Sequence, residues 1–263
     1  MAHDATAVRT ARLGRAIGPE PTAVSGAVLL LPGGEEVSVR RPSPLWDTSR
    51  VRALGRRLAG DGRVDGLAVH VVRYRARGWN GSEAQLAADA EWAADEIVRR
   101  YGDVPVCLVG VDMGGRAALR AGGHEAVNAV LALAPWLPED DVAAPPEPVK
   151  QLVGRKVMIV HGTNDRRTDP ELSFRLAARA KKANRDVCRF EVHSDGHGLR
   201  QHRREVLALS SDFVMGVLFG RALSRPVVDA LAAPPPIGLR MPLAAGFGAG
   251  LGGGRGAGRG ARA

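Results

Sequence analysis

The sequence predicts an α/β fold with a mostly parallel sheet, doubly wound by helices on both faces. Short apolar runs predict buried strands at residues 27–31, 66–74, 104–109, 129–134, 156–160 and 189–193. Between them, apolar residues at helical spacing predict helices at 49–59, 82–101, 116–120, 170–183 and 203–219. Strands that are apolar on both faces and alternate with helices are typical of parallel sheets. A hydrophobic content of 45% is enough for one sizeable core.

Composition divides the chain into three parts. Residues 1–24 are mixed in character and are predicted to be an N-terminal extension, with a short helix near residues 7–17. Residues 25–222 carry the alternating pattern and form the α/β domain. Beyond Ala232 the chain is dominated by Pro, Gly, Ala and Arg. We expect residues 233–263 to be a disordered tail, because such a composition buries little apolar surface.

The charge distribution argues against a nucleic-acid partner. The net charge is +9, but only four of the 37 basic residues are lysines and the arginines are spread along the whole chain. A nucleic-acid surface is expected to cluster its basic residues on one element. The N-terminus has no apolar segment typical of a secretory signal, and no run is long enough to span a bilayer. We therefore expect a cytoplasmic protein with a small-molecule substrate and no membrane partner.

Neither the cysteines nor the histidines indicate a metal or another cofactor. Cys107 falls inside a predicted strand and Cys188 at the start of another, and their spacing fits neither a disulfide framework nor a zinc site. His193, His197 and His202 lack a cysteine partner and do not form a helical i, i+4 pair. We therefore expect two buried thiols, no metal and no cofactor.

The most informative stretch is the turn that follows the strand at 104–109. It reads Gly110-Val-Asp-Met-Gly114 and leads directly into a helix-forming run. A strand, a sharp turn with two flanking glycines and a helix are typical of a nucleophile elbow, G-x-Nuc-x-G. The glycines are needed because the strained turn leaves no room for Cβ atoms. Asp112 stands at the position of the nucleophile.

Three further motifs lie at predicted strand ends. They are Leu31-Pro-Gly-Gly34, His161-Gly-Thr-Asn-Asp165 and Asp195-Gly-His-Gly198. Together with the elbow, they resemble the α/β-hydrolase superfamily over residues 25–220, in which the nucleophile, the acid and the histidine follow one another in this order. Only about twenty residues separate the strand at 129–134 from the strand at 156–160. This interval is too short for the lid domain that many members insert there, so the resemblance implies a lidless hydrolase.

Within the superfamily, the elbow resembles two branches and departs from both. Small bacterial serine hydrolases with a G-H-S-M-G-G elbow have histidine and serine where Val111 and Asp112 stand here. An aspartate nucleophile resembles haloalkane dehalogenases and epoxide hydrolases. Those families usually have tryptophan where Met113 stands, and epoxide hydrolases also use lid tyrosines. The resemblance therefore implies a hydrolase and leaves the type of reaction open.

The resemblance assigns a role to each candidate residue. Asp112 would attack an sp3 carbon and form an ester, as epoxide hydrolases and dehalogenases do. His197 would activate the water that hydrolyses the ester, and Asp165 would orient the imidazole. The expected oxyanion hole consists of backbone N–H groups at Met113, Gly33 and Gly34. A different acid, Asp169, competes with Asp165 for the third position, although it could also cap the helix that starts at Pro170.

Four polar or aromatic residues that follow strand ends are candidates for the substrate pocket. They are Tyr74, Trp79, Asn80 and Trp136. Tyr74 could donate a proton to a leaving oxygen, but Tyr74 and Trp79 could equally pack the rim of the core. Two functions follow from the sequence. The first is hydrolysis through a covalent ester on an Asp-His-Asp triad. The alternative is a catalytically inactive α/β-hydrolase fold that binds a small molecule or a protein.

Overall fold

A computed structural model describes residues 10–18, 23–42, 49–139 and 146–249. These residues form one eight-stranded sheet with the spatial order β1-β3-β2-β4-β5-β6-β7-β8. Only β1 runs antiparallel to its neighbour, β3, and the other pairs are parallel. The strands are β1 Arg12–Leu13, β2 Gly26–Leu31, β3 Leu67–Arg73, β4 Val106–Val111, β5 Val127–Leu133, β6 Lys156–Gly162, β7 Val187–Val192 and β8 Met241–Pro242.

Six α-helices of the described residues cover both faces of the sheet. They are α1 Ser49–Asp61, α2 Gln85–Tyr101, α3 Met113–Ala121, α4 Pro170–Ala183, α5 Arg203–Phe219 and α6 Arg225–Ala232. Helices α2, α3 and α4 bury apolar side chains in one core cluster. Helices α1, α5 and α6 contribute to a second cluster on the opposite face. The predicted doubly wound α/β architecture is confirmed. No helix among the described residues has both the length and the apolar character needed to cross a membrane.

The register of the strands brings their carboxyl ends to one edge of the sheet. Leu31 at the end of β2 pairs with Gly110 near the end of β4. Val111 pairs with Leu133, and Leu133 pairs in turn with Val160 of β6. In open parallel sheets, ligands bind at this edge because the connecting loops of several strands meet there. The four predicted motifs therefore lie close together.

The N-terminal residues are part of the sheet, so their prediction as a separate extension is wrong for residues 10–18. Strand β1 pairs with the edge strand β3, with Arg12 opposite Arg73. The backbone N–H of Gly14 donates to the carbonyl of Val71 at 2.9 Å. The predicted helix near residues 7–17 is absent from its described part, where the chain is extended. An edge strand offers unpaired backbone groups, and the N-terminal segment satisfies those of β3.

The predicted disorder after Ala232 is also wrong, at least as far as residue 249. Strand β8 pairs with β7, with Met241 opposite Phe190. The side chains of Leu239 and Leu243 are buried in the two core clusters, one in each. The carbonyl of Leu239 accepts a hydrogen bond from Nη1 of the buried Arg189 at 3.0 Å. A few apolar residues next to an open sheet edge suffice to order a segment that is otherwise rich in Pro and Gly. Residues 250–263 lie outside the described part.

Candidate active site

Asp112 lies in a strained turn between β4 and α3. Its backbone has φ 57° and ψ −126°, a region that residues other than glycine rarely adopt. Such a conformation costs about 1–3 kcal/mol and persists only where the surroundings enforce it. A Cβ atom at Gly110 would overlap the carbonyl of Gly114, and one at Gly114 would overlap the carbonyl of Leu31. The two glycines have the steric role expected of a nucleophile elbow.

His197 lies between Asp112 and Asp165, the two aspartates predicted to act with it. Its Nδ1 atom is 2.8 Å from Oδ2 of Asp165, and its Nε2 atom is 3.5 Å from Oδ1 of Asp112. The structure thus brings Asp112, Asp165 and His197 together from the ends of β4, β6 and β7. The competing acid, Asp169, accepts a hydrogen bond from the backbone N–H of Glu171 at 2.9 Å and caps helix α4.

Asp165 is held in its ionised form. Burial raises the pKa of this carboxyl, but hydrogen bonds from His161, His197 and the backbone of Arg167 lower the pKa by more, so it lies well below its usual range. Oδ1 accepts from the backbone N–H groups of Arg167 and Thr168 at 2.8 and 3.2 Å. A carboxylate fixed in this way can orient the imidazole of His197 and stabilise its charged form.

His161 is a second histidine on the same carboxylate, with no role assigned from the sequence. Its Nε2 atom is 3.1 Å from Oδ2 of Asp165, and its Nδ1 atom is 2.9 Å from Oγ of Ser173. Burial lowers the pKa of His161, against the raising effect of its hydrogen bond to Asp165. The spacing of four residues between His161 and Asp165 is visible in the sequence, but only the turn after β6 folds the aspartate back onto the ring.

Arg167 is a further neighbour that the sequence did not reveal. Its Nη2 atom lies 3.1 Å from Oδ2 of Asp112, and its side chain is 57% exposed. The carboxylate of Asp112 thus has a guanidinium at one oxygen and the imidazole of His197 facing the other. An ion pair this exposed contributes about 0–1 kcal/mol to stability.

Of the three predicted oxyanion residues, Gly33 lies beside the carboxylate of Asp112, and Gly34 lies beside Met113. A Cβ atom placed on Gly33 would lie 3.0 Å from Oδ2 of Asp112. Met113 is the first residue of α3, and a Cβ atom on Gly34 would lie 3.5 Å from its Cβ atom. Backbone N–H groups at a helix start and in a tight turn favour a developing negative charge. The oxyanion role of Gly33, Gly34 and Met113 stays a prediction.

A cavity of about 460 Å³ opens beside Asp112 and His197. It lies on the face of the sheet covered by α1 and α5. Most of its wall is apolar, and the exceptions besides the two site residues are two arginines. The lining residues are Ala53, Leu54, Val111, Asp112, Leu133, His197, Gly198, Leu199, Arg200, Arg203, Val206 and Leu207. Its size is that of a small-molecule site.

Two of the predicted pocket residues make internal hydrogen bonds instead of lining this cavity. The hydroxyl of Tyr74 donates to the carbonyl of Pro32 at 3.1 Å. Burial raises the pKa of Tyr74 well above its usual value, and the charges of Asp89 and Asp112 raise it further. Asn80 accepts from the backbone N–H of Ser38 at 2.9 Å and so joins two loops.

The two predicted pocket tryptophans pack around a buried cation. The guanidinium of Arg116 lies 4.0 Å from the ring centre of Trp79 and 5.3 Å from that of Trp136. Arg116 also pairs with Glu147 at 2.8 Å. Both tryptophans pack with the core cluster of α2, α3 and α4, which is across the sheet from the cavity. Both tryptophans follow strand ends, as the sequence indicates, but the sequence does not show to which face of the sheet each loop folds.

No group of three or more His, Cys, Asp or Glu side chains is placed to hold a metal ion within residues 10–18, 23–42, 49–139 and 146–249. In the same ranges the two cysteines, Cys107 and Cys188, are free and buried. Burial raises the pKa of the Cys188 thiol to about 12, so the thiol stays protonated. The thiols are therefore unreactive parts of the core.

Comparisons with known proteins identify relatives of the fold. Residues 132–218 match the model of the prolyl oligopeptidase family, a span that includes Asp165 and His197 and begins after Asp112. Among curated proteins, none matches. Among solved structures, an α/β serine hydrolase homologue from Coxiella burnetii is 13% identical with a TM-score of 0.53, over 78% of this chain and 90% of that chain.

Two other solved structures give the same picture. An α/β serine hydrolase without a lid from Xanthomonas campestris is 13% identical with a TM-score of 0.54, over 80% of this chain and 89% of that chain. An esterase from Pyrococcus furiosus is 14% identical with a TM-score of 0.57, over 74% and 82% of the two chains. These likenesses show that the chain has the α/β-hydrolase fold that the sequence predicted.

Proposed function

We propose that this protein is a hydrolase that uses Asp112 as its nucleophile, with an epoxide or an alkyl halide as the most suitable type of substrate. The observation that carries the proposal is the position of His197, whose two ring nitrogens face Asp165 and Asp112 at the mouth of an open cavity. A carboxylate attacks an ordinary ester poorly, which favours an sp3 carbon as the electrophile.

The first step forms a covalent ester. An oxygen of the Asp112 carboxylate attacks the substrate carbon, and the bond from that carbon to the halogen or to the epoxide oxygen breaks. The electron pair of this bond leaves with the halide or with the oxygen, and an opened epoxide oxygen takes a proton from water. The cavity provides apolar walls around the carbon skeleton, and the strained turn presents the carboxylate to it.

The second step hydrolyses the ester. His197 takes a proton from a water molecule, and the resulting hydroxide adds to Cγ of Asp112. Backbone N–H groups of Met113 and of the turn at Gly33 and Gly34 stabilise the oxyanion. When the intermediate collapses, the product alcohol leaves with the proton from His197, and the acid form of Asp112 loses its proton to solvent. Asp165 stabilises the charged imidazole between these events.

A second candidate is a non-catalytic binding protein, and Arg167 is the observation that favours it. Its guanidinium lies 3.1 Å from Oδ2 of Asp112. An ion pair stabilises the charged carboxylate, which lowers its nucleophilicity. In this case the cavity would bind a ligand, and the elbow would remain as a structural turn. Fold alone does not distinguish the two functions.

Substrate trapping distinguishes them. If Asp112 is the nucleophile, His197→Gln blocks the second step and leaves the first intact. Incubated with a panel of epoxides and alkyl halides, this variant should gain the mass of one substrate group, and the added mass should map to the peptide that contains Asp112. His193→Gln is a matched control, because His193 is exposed and does not line the cavity. It should turn over substrate and accumulate no adduct.

Two substitutions of Asp112 complete the experiment. Asp112→Asn in the His197→Gln background should abolish the adduct. Asp112→Ser places a serine at the elbow, and this variant should cleave a small aryl acetate if the oxyanion turn and His197 are functional. No adduct across the panel and no esterase activity of the serine variant would favour the binding protein. Esterase activity without any adduct would mean that the site is intact and that Asp112 itself is not a nucleophile.

A further inference from the structure

We propose that the cavity beside Asp112 selects organic anions, with the apolar body of the molecule against α1 and α5 and its carboxylate at Arg200 and Arg203. The inference rests on the proposed function only for the reaction that follows binding. It concerns the class of molecule that the cavity takes, and the binding itself can be measured without any reaction.

Aliphatic side chains form the larger part of the cavity lining. Seven lining residues are aliphatic, and they come from α1, from the ends of β4 and β5, and from the first turns of α5 with the loop before it: Ala53, Leu54, Val111, Leu133, Leu199, Val206 and Leu207. Apolar surface removed from water contributes roughly 25 cal/mol per Å². A ligand that fills the cavity therefore needs an alkyl or aryl body of several carbons.

The charged part of the cavity is basic. Arg200 and Arg203 line it and are exposed to solvent. The side chain of Arg200 folds over Gly198, since a Cβ atom there would lie 3.1 Å from its Nε atom. This places the guanidinium beside the residue that follows His197. Arg203 is the first residue of α5.

No acidic side chain within the described ranges forms an ion pair with either arginine. One neighbouring acid, Asp195, is buried and accepts hydrogen bonds from the backbone N–H groups of Arg200 and His202, both at 3.0 Å. Asp195 thus orders the loop. Another neighbour, Glu205, accepts from the backbone N–H of Gly246 at 3.1 Å. The guanidinium groups are therefore available to a ligand.

The arrangement matches one type of ligand better than the others. A carboxylate accepts paired hydrogen bonds from the planar guanidinium fork. A bare phosphate would satisfy the arginines but leave the aliphatic wall in contact with water. A neutral alkyl compound would cover the aliphatic wall but would leave the positive charges of Arg200 and Arg203 without a partner. An organic acid with an apolar body satisfies both parts of the cavity at once.

Equilibrium binding tests the inference directly. Octanoate and its neutral counterpart octanamide have the same alkyl chain, and isothermal titration calorimetry measures both. Octanoate should bind at least about tenfold more tightly than octanamide. Arg200→Gln and Arg203→Gln should each weaken octanoate binding about two- to fivefold, the upper part of the range for exposed ion pairs. Octanamide binding should change less than about twofold in the same variants.

Arg204→Gln is the matched control. Arg204 is adjacent to Arg203 and exposed, but it does not line the cavity. Its replacement removes the same net charge and should leave octanoate binding unchanged. Equal affinities for octanoate and octanamide would overturn the inference, as would an equal loss in the Arg204 variant. Competition by about equimolar inorganic phosphate would also overturn it, because it would indicate a simple anion site.

Failure of the inference is distinguishable from failure of the proposed function. The trapping variant His197→Gln can be treated with ω-bromoalkanoates and with the bromoalkanes of matching length. The inference predicts faster labelling by the acids. Labelling by the neutral bromoalkanes with no octanoate binding would refute the inference and leave the nucleophile in place. Tight octanoate binding without any labelling would support the inference and count against the nucleophile.

Discussion

Replacing Leu239 by alanine tests whether the C-terminal segment is part of the folded domain. The Leu239 side chain is completely buried and packs in the core cluster of α2, α3 and α4. A buried Leu→Ala change costs about 2–5 kcal/mol, which combines the lost transfer free energy with the cavity that remains. The segment lies at the edge of the sheet and can partly close such a cavity. We therefore expect a loss of about 2–3 kcal/mol in the free energy of unfolding.

The backbone contact should survive this substitution, so the loss isolates side-chain packing. The carbonyl of Leu239 still accepts from Arg189, whose Nε atom donates to Ser173 at 3.0 Å. Ser173 contacts His161, and His161 contacts Asp165. Detachment of the segment would therefore disturb the support of the triad as well as the core. A substitution that leaves the segment attached should lower stability and preserve the site.

Urea unfolding provides the measurement, with Ile237→Ala as the control. Ile237 belongs to the same short turn, but its side chain is 63% exposed. We expect its substitution to change the free energy of unfolding by less than about 0.5 kcal/mol. Equal effects of the two substitutions, both near zero, would refute the reasoning, because they would show that the segment does not pack on the domain in solution.

Two further predictions concern the elbow and the pH dependence of stability. Gly114→Ala should destabilise the protein by about 3 kcal/mol or more, because a Cβ atom would overlap the carbonyls of Leu31 and Pro32. The control Gly60→Ala, in an open helical position, should stabilise the protein by about 0.5–1 kcal/mol. Thermal unfolding measures both effects, and a tolerated Gly114→Ala would contradict the elbow geometry. The pKa of His161 is lowered in the folded state, so its contribution to stability is fully present above the unfolded value of about 6.5 and is lost as the pH falls through the folded value. His161→Asn should therefore flatten the fall in unfolding free energy between about pH 7 and pH 5, and an unchanged slope would mean that another group causes it.

The sequence was sufficient for the fold because local pattern and tertiary structure agree in the central domain. The bounds of α4 and α5 coincide with the predicted ranges 170–183 and 203–219. Helix α4 is an amphipathic segment between two apolar strands, and α5 follows the last strand of the predicted series. The same agreement predicted that Asp112, Asp165 and His197 would meet, since parallel strands with short connections bring their carboxyl ends to one edge.

The start of α2 and the tail show where local pattern fails. The helical spacing predicts a helix from residue 82, but residues Gly81–Glu83 form a 3₁₀ turn and the helix begins at Gln85. The side chain of Asn80 donates to Oε1 of Gln85 at 2.8 Å, a contact across this turn that helical spacing does not reveal. In the tail, composition predicts disorder because it averages over residues, whereas a few buried leucines at an open edge decide the outcome.

The contacts of Arg167 and the location of the cavity were not predictable for a different reason. Both depend on the path of a loop after its strand. Arg167 follows Asp165 by two residues, and only the turn aims its guanidinium at Asp112. Trp79 likewise follows a strand end but folds onto Arg116, on the face of the sheet opposite the cavity. The sequence specifies the edge of the sheet at which the site lies, but not the face of the sheet to which its loops turn.

The most direct test of the central claim follows the oxygen atoms of Asp112 through one turnover. An epoxide or alkyl halide that labels the His197→Gln variant would be hydrolysed by the wild-type protein in ¹⁸O-water, with the protein in excess. Water attacks Cγ of the ester, so the peptide that contains Asp112 should have one ¹⁶O replaced by ¹⁸O, while the product alcohol retains ¹⁶O. Product that carries ¹⁸O from the first turnover, with no label in Asp112, would contradict the claim, because water would then have attacked the substrate directly.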